Sequence, residues 1–244
     1  MQENHNFISF VLLDEAKFDF LKLKKILEDD FDIWIADENF TQDGVIFSFK
    51  NMIVTLNLIK NPIPNNEAEY YANFNFMWKD ALEQTQKHKA LLVSVLSQSE
   101  SKLDQAKLFT QISSACLQDE HTLGFYTGGV VLEPKFYIEN AKMLEDNRLP
   151  IYNWIYVSVY PGDNGNNAYT YGLRNFDKLE LEVCDANIEE KELFFTLYDI
   201  ILHILTYDLS LKDGDTLKFE DGRILSFKKS QGIGVENESL KIIF

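Results

Sequence analysis

The run KALLVSVLS, residues 89–97, restricts the fold more than any other stretch of this chain. Its apolar residues are almost continuous, and polar clusters bound it on both sides. That is the length of a strand buried on both faces, and far short of a membrane-crossing helix. Directly after it, SESKLDQAKLFTQISSACLQ changes to helical spacing. Ser99 or Ser101 is placed to cap this helix, and Leu103, Leu108, Phe109, Ile112 and Cys116 form its apolar stripe. A buried strand that runs at once into an amphipathic helix calls for a sheet with helices packed on it.

The remaining segments extend that picture. NFISFVLLD predicts a strand at 6–14, and FDFLKLKKILED a helix at about 18–28. FDIWIAD, GVIFSFK and MIVTLNLI read as three strands, the last two joined by a tight turn at Lys50-Asn51. Asn65-Asn66 then introduces an interrupted helical region over about 67–87. TLGFYT is a strand, and Pro134 suits the first turn of a helix running to about 146. Beyond Pro150, YNWIYVSVY, NAYTYGL and KLELEVC suggest an antiparallel meander. EEKELFFTLYDIILHILTY is the strongest helix, followed by a hairpin around Asp221-Gly222 and a final strand, SLKIIF. Strand, cap, helix and strand recur at 6–36 and 90–126, with poor side-chain identity. The expected class is α+β: a mixed, largely antiparallel sheet with helices packed on it, with a duplicated βαβ-type unit as a candidate origin. A single domain over 1–244 is expected, with a candidate subdivision into 1–149 and 150–244.

A formal net charge of −16 over 244 residues repels phosphate backbones, so nucleic acid is not an expected partner. No apolar run has membrane-spanning length, and the N-terminus lacks a basic leader, so a cytoplasmic, membrane-free protein is expected. Cys116 and Cys184 form neither a disulfide framework nor a zinc set. The charge is clustered: EDDFDIWIADENFTQD, residues 28–43, holds seven acids and no base. One reading is a solvated face. The other is a docking surface in which Asp29, Asp30, Asp32, Asp37 and Glu38 attract a basic partner, with Trp34 and Phe40 as apolar anchors.

Chemistry-bearing motifs are sparse. Thr127-Gly128-Gly129 resembles a phosphate loop only in its glycines. Four residues separate Gly129 from Pro134, Glu133 would repel phosphate, and a structural turn is the expectation. His5, His88, His121 and His203 form no metal motif, and no cofactor or metal is expected. Asp199 and His203 share a helix face, but they fall with Glu192 and Thr196 on a polar stripe opposite a core stripe of Phe194–Leu205. His88 is the best general-base candidate, with Glu67 or Glu133 as its acid partner, against the alternative of an ordinary helix-end histidine. Tyr169, Tyr171 and Arg174 suit either a binding surface or sheet packing. Glu67, His88, Glu133, Tyr171 and Arg174 make up the candidate pocket.

HKALLVSVLS, LGFYTGGVVLEPKFY, LPIYNWIYVSVY, YTYGLRNF, LKDGDTLKF and SLKIIF together resemble the domain-of-unknown-function 4261 family of bacterial proteins. The resemblance extends over nearly the whole chain, most clearly from about residue 61, and implies no catalytic role for any residue. YVSVYPGDNGNNAYTYGLRNFDKLELEV is more weakly similar to bacterial Suppressor-of-fused-like domains, which implies an immunity protein beside a secreted toxin. Two functions are carried forward. One is a non-catalytic binder, in its most concrete form an immunity protein that neutralises a basic toxin through its acidic surface. The other is a small-molecule enzyme using His88 with Glu67 or Glu133. Oligomeric state is left open.

Overall fold

The computed structural model describes residues 6–99, 101–219 and 222–244. Asp221, half of the expected Asp221-Gly222 turn, and His5 lie outside the described residues. The chain divides into two units between Asn153 and Trp154.

In the first unit, β1 (Phe7–Leu13) leads into α1 (Phe20–Phe31), which is followed by β2 (Gly44–Phe49) and β3 (Met52–Ile59). Asp19 starts α1 by accepting the amides of Leu21 and Lys22. Lys50 and Asn51 both take positive φ, 47° and 64°, which suits the two-residue hairpin between β2 and β3. Helices α2 (Glu67–Asn73) and α3 (Ala81–Thr85) precede β4 (Ala90–Ser97), the apolar run. Then come α4 (Lys102–Cys116), β5 (Thr122–Tyr126), β6 (Val131–Leu132) and α5 (Pro134–Ala141). Ser101 caps α4 by accepting the Asp104 amide.

The strand order is β2-β3-β4-β1-β5-β6, with every neighbouring pair antiparallel. β4 lies between β3 and β1, and β1 lies between β4 and β5. Two β-α-β arms, β1-α1-β3 and β4-α4-β5, therefore interleave in the manner of a ferredoxin-like sheet, with β2 and β6 added at its edges. On one face Phe7 meets Phe109 of α4, their rings 5.4 Å apart. On the other, Leu12, Leu91, Tyr126 and Val131 pack with Ile63, Ala68, Ala72 and Ala81.

The structure corrects several local expectations here. FDIWIAD is not a strand: Asp32 turns into the left-handed region at φ 54° to end α1, and no ladder forms before the turn Asp37–Asn39. The alternation in that segment records burial, with Ile33 and Ile35 inside and Trp34 outside. The first arm consequently returns through β3, so the recurrence read at 6–36 does not end where expected. Asn66 precedes α2 in a left-handed conformation and makes no side-chain cap bond. Thr127–Val130 closes the hairpin between β5 and β6, with the Thr127 amide donating to the Val130 carbonyl at 3.2 Å. The expected helix to 146 changes to a 3-10 turn over Lys142–Asp146.

The short helix α6 (Ile151–Trp154) replaces the strand expected at YNW. Pro150 begins this turn, its carbonyl accepting the Asn153 amide. The second unit then forms the expected meander of β7 (Tyr156–Pro161), β8 (Asn166–Tyr171) and β9 (Leu181–Ala186). After α7 (Glu190–Thr206) come β10 (Thr216–Lys218), β11 (Ile224–Gln231) and β12 (Glu238–Ile243). The order is β10-β11-β12-β9-β8-β7, antiparallel except where β12 runs parallel to β9. Helix α7 buries Leu193, Leu197, Ile200, Ile201 and Ile204. Thr196 joins this buried stripe rather than the polar one, while Phe194 is only half-buried. Both units have the α+β character expected. No helix among the described residues is long and apolar enough to cross a membrane.

Candidate functional site

The acidic segment is displayed by the end of α1 and the extended stretch after it. Asp29, Asp30, Asp32, Asp37 and Glu38 are all exposed. Glu28, Asp29 and Asp30 occupy the last turn of α1, which contains no base. Unpaired carbonyls already make a helix C-terminus electronegative, so carboxylates there are unfavourable to the fold. Relief from within the protein is small. Lys24 approaches Asp37 at 2.6 Å and Glu28 at 3.8 Å, and Asp37 holds its ammonium above the usual lysine range. Asp29, Asp30 and Glu38 have no ion-pair partner among the described residues.

Trp34 stands out of this surface at 72 % exposure. Its neighbours Ile33 and Ile35 are buried at 0 % and 4 %, which fixes the backbone on both sides. Its indole N–H donates to Asp32 Oδ1 at 2.9 Å. The ring is thus exposed, with its N–H edge tethered to Asp32. Phe40, the other expected anchor, is half-buried against Phe20 and bridges to Val45, so it serves packing. A cleft of about 340 Å³ opens beside the end of α1, lined in part by Asp30, Phe31, Gln118, Lys142 and Glu145.

The candidate pocket is divided between the two units: Glu67, His88 and Glu133 lie in the first, Tyr171 and Arg174 in the second. His88 is 6 % exposed. Its Nε2 accepts the Ile63 amide at 3.0 Å, which leaves Nδ1 to donate to the Thr85 carbonyl. Both nitrogens therefore tie the Pro62–Pro64 segment to the end of α3, and neither offers a lone pair to a substrate. The acid nearest His88 is Glu69, at 3.6 Å, rather than Glu67. Glu67 instead accepts the Tyr126 hydroxyl at 2.5 Å. Glu133 is the residue before α5 and forms no side-chain cap bond.

In the second unit, Tyr171 is an exposed residue at the end of β8. Arg174 donates through Nη2 to the carbonyls of Glu236 and Glu238, at 3.1 and 2.7 Å. These bonds fasten the approach to β12. The residues that organise this region are Glu180 and Glu182, each 2 % exposed. Glu180 accepts the Thr170 hydroxyl and the amides of Gly172 and Arg174. Glu182 accepts the amides of Ile233 and Gly234 and the Ser239 hydroxyl. Burial pushes Glu180 above the usual carboxylate range, against the opposing effect of its hydrogen bonds. In KLELEVC these two acids read as the solvated positions of a half-buried strand. The donors to Glu180 lie 6 to 10 residues earlier and those to Glu182 lie 51 to 57 residues later, and the spacing within KLELEVC marks none of them.

The second unit is a six-stranded sheet carrying one long helix, and a family match covers most of that architecture. Residues 169–243, from within β8 to the end of β12, match the family described as Domain of unknown function (DUF4261). YTYGLRNF and LKDGDTLKF lie inside the match, and SLKIIF does so up to Ile243, whereas HKALLVSVLS, LGFYTGGVVLEPKFY and LPIYNWIYVSVY fall outside it. No curated protein and no solved structure matches the chain.

Proposed function

We propose that this is a non-catalytic binding protein that takes a basic protein partner on the acidic surface of residues 28–43. The observation that carries this reading is Trp34, exposed and hydrogen-bonded to Asp32 in a segment where Asp29, Asp30 and Glu38 have no ion-pair partner among the described residues. Interface energy concentrates in exposed aromatic anchors, and complementary charge supplies orientation and encounter rate. Acids at the electronegative end of α1 cost the free protein stability, which a bound cation recovers. The cleft beside Asp30 gives the same surface relief into which a partner's side chain fits. Its most concrete form is an immunity protein that occludes a basic toxin. The enzyme reading loses support at His88, whose two nitrogens are engaged within the fold.

The test begins by isolating a partner from the native host on immobilised protein and then reconstituting the pair from purified components. Trp34→Ala should weaken the reconstituted complex by at least about 2 kcal/mol, the scale of an interface hot spot. Unchanged affinity would remove Trp34, and this reading with it. Turnover of a metabolite that is abolished by His88→Ala, in a variant that still folds, would favour the enzyme reading instead.

A further inference from the structure

Building on the proposed binding surface, we infer that the side chain received at Trp34 is an arginine, stacked on the indole and paired with the carboxylate that holds the ring. Three observations lead there. The indole donates its N–H to Asp32 Oδ1, so at 72 % exposure it presents its ring beside that carboxylate. Asp32 is exposed, and its Oδ2 accepts no hydrogen bond among the described residues. The segment is anionic, and Asp29, Asp30 and Glu38 have no ion-pair partner among the described residues.

A cation is the natural occupant of such a place, and the two protein cations differ in fit. Guanidinium is planar, weakly hydrated and stacks on an indole while its edge donates to a carboxylate. Ammonium is a compact, strongly hydrated charge that gains less from a flat ring. Acids alone would serve lysine equally well. The exposed indole beside a carboxylate is what favours arginine.

The probe is a blocked, glycine-spaced peptide with three arginines, compared with the same peptide carrying three lysines. Binding is followed at low ionic strength by the Trp34 indole N–H resonance, assigned by its absence in Trp34→Phe. That signal reports Trp34 alone, apart from the half-buried Trp78 and buried Trp154. The arginine peptide should shift the resonance saturably, and the lysine peptide should bind about fivefold or more weakly, consistent with cation–π and fork geometry. Asp32→Asn should reduce the preference, and Trp34→Ala, read on backbone amides of the segment, should abolish it. Equal binding of both peptides, unchanged in Trp34→Ala, would overturn the arginine assignment while leaving the acidic surface as the binding element. Failure of either peptide to perturb the segment would contradict the arginine assignment and the underlying surface together.

Discussion

Glu180 is a buried carboxylate held by hydrogen-bond donors rather than by a cation. Burial raises its folded-state pKa above the ordinary value of 4.5, so the folded protein binds this proton more tightly than the unfolded chain. The stabilisation linked to that proton is fully present below about 4.5 and is lost as pH rises through the raised folded value. Measured against Glu180→Gln, which does not titrate, the wild type should lose relative stability as pH is raised from that point and level off above the folded pKa. Urea unfolding across this range measures it, and a relative gain with rising pH would contradict the assignment. Glu180→Ala should cost about 2–4 kcal/mol near neutrality, because it leaves the Thr170 hydroxyl and two amides buried without their acceptor. His88 shows why such roles escape a reading of sequence. Next to a buried strand it looks like a base near its working pH, whereas the amide that occupies its Nε2 belongs to Ile63, 25 residues earlier.

Helix α1 carries its charge at the unfavourable end. Replacing Asp29 or Asp30 with Lys puts a cation where the terminal carbonyls favour one, and should raise stability by about 0.3–1 kcal/mol per site. Urea midpoints measure this, and a loss of stability would contradict the unfavourable placement of these acids. The same substitutions should weaken partner binding, so stability and binding should move in opposite directions. Periodicity made most elements legible. The apolar run at 89–97 and the Lys50-Asn51 turn appear where residue spacing puts them, whereas α4 buries Leu108, Phe109, Ile112 and Cys116 of its expected stripe together with Gln105, Thr110 and Ser113, and leaves Leu103 only half-buried. FDIWIAD misled because alternation reports which side chains are buried and is silent on whether a neighbouring strand supplies hydrogen bonds. At 154, the helix α6 likewise overrode a β-rich pattern.

For the whole molecule, the net charge of −16 sets the long-range field, while the orientation of the acidic segment gives that field a local focus. The acidic cluster and its tryptophan were both visible in the sequence, because charge runs and aromatic residues are properties of composition. The pairing of Trp34 with Asp32 was not, since it depends on the left-handed turn at Asp32 and on the burial of Ile33 and Ile35. The central claim is that this surface steers a basic partner. Stopped-flow association of the purified pair, at low and high salt, tests it most directly with a variant carrying Asp29→Asn, Asp30→Asn and Glu38→Gln. Steering acts on the association rate and is screened over a Debye length of about 8 Å at physiological ionic strength. The wild type should associate severalfold faster than the variant at low salt, and the two rates should converge at high salt. Equal rates with equal salt dependence would show that the acids only solvate the surface, and would contradict the account.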